Sequence, residues 1–199
     1  MHRFSLSVLL SCLLVACGGG ASDVAGNPPT VKNPAVVSGQ YLSFTYFQKC
    51  INPIFLAQLP VQTGGSTATN TCAGSGCHDT ATGTGGALRL VPGAQAVDLA
   101  DAANTAAAVR LSDIYKNFYS AQGATVIGST TQSRLLTKPL VMGVLHGGGL
   151  IFTSEQDPNA QLIKYWISHP MPVGQDEFST ASNALFTPPD AKAGTCNIQ

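Results

Sequence analysis

The chain carries little charge of either sign and has no long apolar run, and both absences limit what it can be. Of its 199 residues, 10 are Lys or Arg and 10 are Asp or Glu, so the net charge is zero. Charged residues make up 10% of the chain, against about 25% in an ordinary soluble domain. Because no basic cluster occurs, a nucleic-acid partner is excluded. The hydrophobic fraction of 44% argues against disorder throughout the chain.

The longest apolar run lies at the N-terminus and predicts a secretory signal peptide over residues 1–16. It extends from Phe4 to Ala16 behind the basic Arg3, and it is shorter than the roughly 20 residues that span a bilayer. The sequence Leu14-Val15-Ala16-Cys17 resembles the bacterial lipobox, which implies cleavage before Cys17 and lipidation of its sulfur. An ordinary cleaved signal with an incidental Cys17 is the alternative.

The remaining chain divides into a tether and a folded domain. Residues 17–39 contain the lipidated cysteine and a flexible, Gly- and Pro-rich tether, and residues 40–199 form the domain. We therefore expect an exported, membrane-anchored lipoprotein that faces the periplasm or lies on the outer membrane; Gly18 favours the outer membrane. Such a compartment is oxidising and permits disulfides and covalent cofactor attachment.

A close pair of cysteines followed by a histidine indicates covalent haem attachment. Cys72 and Cys77 are separated by four residues, and His78 follows directly. Two thiols reach the two vinyl groups of a porphyrin while the histidine coordinates its iron from below. Two intervening residues are the usual spacing, and the longer loop here has Gly74 and Gly76 to supply backbone freedom.

Three other interpretations of this trio stay open at this stage. Cys72 and Cys77 could close a small disulfide ring, with His78 as a bystander. The three side chains could form part of a zinc site, which would need a fourth ligand that no second Cys/His cluster supplies. The trio could also be coincidental in a Gly-rich loop.

Cys50 and Cys196 are left over and show no metal-binding spacing. The simplest assignment is a Cys50–Cys196 disulfide that ties the C-terminal tail to the first helix. All six cysteines then have a role: Cys12 in the signal, Cys17 in the anchor, two for haem and two for the disulfide.

The hydrophobic pattern predicts short helices joined by long loops, with no strand. Helices are expected over Ser43–Cys50, from Asn52-Pro53 as cap and first residue, within 94–109, and over Ser112–Phe118. The clearest helix has Asp157 as its cap and Pro158 as its first residue. Residues 60–71 are predicted to be a polar loop, and no period-two alternation occurs.

The order of several short motifs resembles a known family. Phe47-Gln48-Lys49-Cys50-Ile51-Asn52-Pro53-Ile54-Phe55 precedes the haem motif; Ser133-Arg134-Leu135-Leu136-Thr137-Lys138-Pro139, His146-Gly147-Gly148-Gly149 and Trp166-Ile167 follow it. This order resembles the cytochrome c domain of planctomycete-type secreted proteins, within the class I cytochrome c family, over roughly residues 42–170. The resemblance implies an all-α, class I cytochrome c-like fold around one covalently bound haem c. The four-residue haem spacing and the C-terminal extension from Met171 depart from it.

The second axial iron ligand has four candidates: His146, Met142, His169 and Met171. His146 comes first, because three glycines follow it and let the backbone approach a flat ring, and because the resembling family has a His-Gly-Gly-Gly segment here. Met142 is the alternative. A hydrogen bond from His146 to a propionate or to backbone is the competing interpretation, and His169 is expected to be an ordinary residue at the C-terminus of a helix.

We therefore expect a lipid-anchored monohaem c-type cytochrome that exchanges single electrons with redox partner proteins, a carrier rather than an enzyme. Arg89, Arg134 and Lys138 are candidates to pair with haem propionates, with solvation at the surface as the alternative. The functional alternatives are a haem sensor or small peroxidase with an open distal site, and a haem-free, disulfide-stapled lipoprotein that binds a partner at the surface.

Overall fold

The computed structural model describes residues 39–199. The predicted signal peptide (1–16), the predicted lipidation site Cys17 and the predicted tether as far as residue 38 lie outside the described residues. Within residues 39–199, no helix is both long and apolar enough to cross a bilayer.

Short helices and two small antiparallel sheets make up the regular structure of the described chain. The helices are α1 (Phe44–Tyr46), a π-helical turn (Phe47–Ile51), α2 (Asn52–Leu56), α3 (Ala106–Val109), α4 (Asp113–Gly123), α5 (Arg134–Thr137), α6 (Pro158–Ser168) and a 3₁₀ helix (Thr180–Leu185). The strands are β1 (Leu59–Thr63), β2 (Ser66–Asn70), β3 (Phe186–Thr187) and β4 (Thr195–Cys196). β1 pairs with β2, and β3 pairs with β4.

The first helical segment continues without a break from Phe44 to Leu56. The Ser43 hydroxyl caps it by accepting a hydrogen bond from the Tyr46 N–H at 3.0 Å. α2 begins at Asn52, but the prediction that Asn52 caps it is wrong, because the chain is already helical through the π-helical turn and Asn52 itself has helical φ and ψ of −56° and −38°. Pro53, which lacks an N–H, is then the second residue of α2. The Asn52 side chain instead accepts a buried hydrogen bond from Asn117 on α4 at 2.9 Å.

An aromatic core joins this segment to α4 and α6. Phe47 lies at the centre, with ring centroids 5.4 Å from both Phe118 and Trp166. Trp166 is fully buried, and its indole N–H donates to the Ser43 carbonyl at 2.9 Å. Edge-to-face and tilted contacts of this kind stabilise a core beyond the area they bury. The three helices therefore form a rigid frame on which the neighbouring loops rest.

The two longest helices begin where the sequence predicts. Ser112 caps α4, its hydroxyl accepting from the Tyr115 N–H at 3.3 Å. The Asp157 carboxylate caps α6 by accepting from the N–H groups of Asn159 and Ala160. Pro158 is the first residue of α6, where a missing N–H costs nothing.

The prediction of an all-α fold is wrong, because residues 59–70 form a β-hairpin instead of a loop. β1 and β2 pair in register from Leu59–Asn70 to Thr63–Ser66. The two-residue turn is Gly64-Gly65, and both glycines have positive φ, 56° and 84°. β2 is polar and mostly exposed, and in β1 only Leu59 and Val61 are apolar at alternate, half-buried positions, which is too short an alternation to predict a strand.

The second sheet belongs to the C-terminal segment, which packs against the first helical segment. Cys50 and Cys196 form a disulfide. The Tyr46 hydroxyl donates to the Asn197 carbonyl at 2.5 Å. The Lys49 ammonium donates to three carbonyls in the loop between β3 and β4, those of Ala191, Lys192 and Gly194. The C-terminal extension is therefore integrated into the domain.

Candidate functional site

The loop that carries the paired cysteines follows β2 and is closed by its own hydrogen bonds. The N–H of Cys77 donates to the Gly74 carbonyl, and the N–H of His78 donates to the Cys72 carbonyl, both at 3.0 Å. Gly76 adopts a φ of 78°, in the left-handed region that favours glycine. The turn brings both cysteines and His78 to one wall of a cavity. Cys72 and Cys77 are free thiols, so the structure does not have the small disulfide ring.

Backbone contacts hold the imidazole of His78 in one orientation. Its Nδ1 lies 3.1 Å from the Leu88 carbonyl. A carbonyl only accepts hydrogen bonds, so Nδ1 carries the proton and Nε2 keeps its lone pair. Gly85 packs so closely on the ring that a Cβ at that position would collide with Nδ1. Burial lowers the pKa of His78, outweighing the Leu88 hydrogen bond, so the neutral form is favoured.

The imidazole of His146 also lines the cavity and is fixed in the same way. Its Nδ1 donates to the Gly149 carbonyl at 2.7 Å. The Gly149 N–H in turn donates to the His146 carbonyl at 2.8 Å, which closes a four-residue turn. Nε2 of His146 is therefore also the unprotonated nitrogen. A backbone partner for one ring nitrogen is the usual support of a histidine that binds metal through the other.

The two imidazoles are close, and their planes are nearly parallel. Their ring centroids lie 6.2 Å apart, and the ring planes differ by 13°. A metal–imidazole bond is about 2 Å long and the ring centre lies about 1 Å further out, so two imidazoles on opposite sides of one ion have centres about 6 Å apart. The separation between His78 and His146 matches that arrangement.

The cavity around these groups has a volume of about 740 Å³. Cofactor pockets fall within roughly 300–1,000 Å³, so this cavity is large enough for a macrocycle. Its walls are mainly apolar and include Phe55, Leu59, Val61, Leu88, Leu135, Ile151, Phe152 and Ile163. Thr84, Gly86 and Gly147 form an exposed rim. A flat apolar group held here would have one edge near solvent.

Of the four candidates for the second axial ligand, only His146 lines this cavity. Met142 is 41% exposed and lines a separate small pocket beside Glu155 and Lys164. Met171 is buried in the core, and its N–H donates to the Tyr41 carbonyl. The His169 ring packs on Tyr165, with centroids 3.9 Å apart. The structure therefore places His146 at the cavity, and Met142, Met171 and His169 away from it.

Of the three basic residues that were candidates to pair with haem propionates, two line the cavity and one does not. Arg134 and Lys138 line the cavity, one helical turn apart, and the carboxylates of residues 39–199 form no salt bridge with either. Arg89 does not line it; its guanidinium donates to the carbonyls of Asp79 and Gly83 and so supports the loop after His78. Among residues 39–199 no Asp or Glu lines the cavity, whereas two cationic side chains do, so the charge of this lining favours an anionic guest.

The two thiols differ in their surroundings. Burial raises the pKa of Cys72 to about 11, and the neighbouring Cys77 adds to the shift, so this thiol is protonated at neutral pH. The Cys77 sulfur accepts a hydrogen bond from the Asn70 amide at 3.5 Å. In residues 39–199 no three His, Cys, Asp or Glu side chains are grouped so as to hold a metal ion, so the zinc interpretation lacks its ligand set.

Sequence reasoning missed the contribution of the hairpin. Leu59, Val61, Thr63 and Asn70 all line the cavity, and β1 also pairs with Leu150, next to the His146 turn. The Gly64-Gly65 pair was the available signal, because two adjacent glycines favour a hairpin turn.

No protein-family description, curated protein or solved structure matched this chain in the comparisons made.

Proposed function

We propose that this protein is a lipid-anchored monohaem c-type cytochrome that transfers single electrons outside the cytoplasm. One observation carries the proposal: two nearly parallel imidazoles line one apolar cavity with ring centroids 6.2 Å apart, and both have Nδ1 on a backbone carbonyl. Two free thiols lie on the same wall as one of them. Haem supplies a one-electron iron couple when it is bound.

Each residue of the site has a specific role in this proposal. Cys72 and Cys77 would hold a haem through thioethers, which requires both thiols to be free, as they are here. His78 and His146 would offer Nε2 to its iron. Arg134 and Lys138 would neutralise its propionates.

The arrangement favours electron transfer over ligand chemistry. Two protein ligands leave no open position for a small molecule, whereas a sensor or peroxidase needs one. The exposed rim at Thr84, Gly86 and Gly147 would bring the ring edge near the surface, as outer-sphere transfer to redox partner proteins requires.

Denaturing electrophoresis of the full chain, co-expressed with haem-attachment machinery, tests the proposal. We expect haem colour to remain on the protein, and to be lost in the Cys72→Ser, Cys77→Ser double variant. The matched control is the Cys50→Ser, Cys196→Ser pair, which should keep the colour. A colourless wild-type band would contradict the proposal and favour the haem-free lipoprotein. Cyanide or carbon monoxide binding to coloured wild type would favour the sensor or peroxidase.

A further inference from the structure

The β1–β2 hairpin touches both halves of the site. At one end, Asn70 closes β2 and donates to the Cys77 sulfur at 3.5 Å. On its outer edge, the Gln62 N–H donates to the Leu150 carbonyl and the Leu150 N–H donates to the Gln62 carbonyl, both at 2.9 Å. The hairpin is therefore the element that connects the cysteine loop directly to the segment carrying His146.

The connection continues from Leu150 to the imidazole through one glycine. The Gly149 carbonyl accepts the Nδ1–H of His146, so the position of Gly149 sets the orientation of the ring. Gly149 has a φ of 80°, and a Cβ there would collide with the Gln62 carbonyl and would lie 2.5 Å from the Thr63 hydroxyl. Both the backbone conformation and the close approach of β1 thus require glycine.

From this geometry we infer that the hairpin is a positioning element, which holds His146 at the distance from His78 needed for a second axial ligand. The inference rests on the proposed function. In it, Gly149 and the backbone of Gln62 are positioning groups that act through His146 and do not themselves touch the cofactor. If the two backbone hydrogen bonds between Gln62 and Leu150 are broken, the turn that carries His146 is free to move, and His146 no longer blocks access of a small ligand to the iron.

Gly149→Ala tests this directly in the haem-loaded protein. The added methyl forces the turn away from β1, so we expect a low-spin absorption spectrum to become largely high-spin, with covalent haem retained. Cyanide should then bind about tenfold more tightly or better, since apparent affinity follows the fraction of open sites. Gly128→Ala is the matched control: Gly128 has a similar φ of 78°, has no atom within 4 Å of an added Cβ and does not line the cavity, so this variant should leave the spectrum unchanged.

A second variant tests the same inference if the Gly149→Ala protein cannot be produced in folded form. Gln62 directs its N–H to Leu150 and not to β2, so Gln62→Pro removes that donor without removing a hairpin hydrogen bond. It should increase the high-spin fraction, whereas Gln62→Ala, which keeps the N–H, should not.

The outcomes separate this inference from the proposed function. A wild-type protein without covalent haem overturns both. If His146→Ala leaves a low-spin spectrum, haem binding stands but His146 is not the ligand, and the inference fails. If His146→Ala becomes high-spin while Gly149→Ala and Gln62→Pro both stay low-spin, the ligand stands and the positioning role of the hairpin is refuted.

Discussion

His78 and His146 lie 68 positions apart in the chain, yet their imidazoles are held 6.2 Å apart with planes 13° from parallel. Each Nδ1 is satisfied by a backbone carbonyl, that of Leu88 for His78 and that of Gly149 for His146, and no side chain in the described part of the chain hydrogen-bonds to either ring. Backbone partners are set by the fold, so surface substitutions elsewhere should leave this pair intact. The four predictions that follow concern the charge around the pair and the stability of the frame that supports it.

The basic pair at the cavity should tune the reduction potential. If the cavity holds haem as proposed, Arg134 and Lys138 would favour its reduced form, which has one positive charge fewer, so Arg134→Gln with Lys138→Gln should lower the reduction potential. We expect a shift on the order of tens of millivolts at low ionic strength, reduced by salt. Potentiometric titration measures it. Lys116→Gln is the control, because that lysine pairs with Asp113 outside the cavity. An equal shift in both variants would refute the role of the cavity pair.

Val141 has an unfavourable backbone conformation that a glycine should relieve. Its φ is 52°, at the left-handed position of a helix-ending turn in which the Met142 N–H donates to Thr137 and the Val141 N–H donates to Lys138. Val141→Gly should raise the free energy of unfolding by about 1 kcal/mol. Chemical denaturation of the haem-loaded protein measures the change.

Val144→Gly provides the comparison for that experiment. Val144 lies in the same loop without positive φ, so glycine there should lower the free energy of unfolding, by roughly 0.5–1 kcal/mol. The prediction for Val141 is refuted if the two substitutions change stability in the same direction.

The Cys50–Cys196 disulfide should be a large contributor to stability. It closes a loop with a sequence separation of 146 residues. Removing it with Cys50→Ser and Cys196→Ser should lower the free energy of unfolding by up to about 5 kcal/mol, since the unfolded chain regains the entropy of an open loop. Denaturation with and without reductant measures this in wild type; the double variant should no longer respond to reductant. A wild-type protein insensitive to reductant would contradict the prediction.

Alkaline pH should destabilise the domain through Tyr115. Burial, and then its hydrogen bond to Glu177, raises the pKa of Tyr115 from 10.0 to about 12. The unfolded chain therefore loses this proton first, and the stability contributed by Tyr115 is present below pH 10 and lost as the pH rises to about 12. Tyr115→Phe should flatten the fall in stability between these values. It should not abolish it, because burial also raises the pKa of Tyr46. Tyr119→Phe, at a 69% exposed position, should leave the profile unchanged.

The sequence was a good guide wherever a structure depends on neighbouring residues. Asp157 caps a helix by accepting from N–H groups two and three positions away, so residue type and spacing suffice to predict it. The same holds for the short cysteine loop, where Cys72 and His78 are joined through their own backbone. Prediction from the sequence failed at Asn52, because its side chain hydrogen-bonds to Asn117 on α4 and does not cap a helix.

The tertiary structure decided the features that depend on distant partners. Four side chains were candidates for the second ligand by type, and only packing places His146 at the cavity while Met142 points elsewhere. Apolar alternation did not predict the hairpin, because Leu59 and Val61 are its only apolar side chains at the cavity and the rest of it is held by backbone pairing. The pairing of Gln62 with Leu150 is a bond between two backbones, which any residue but proline at these positions can make. The sequence shows directly which side chains are present and how closely they are spaced. Which distant backbone segments pair with each other depends on how the whole chain packs.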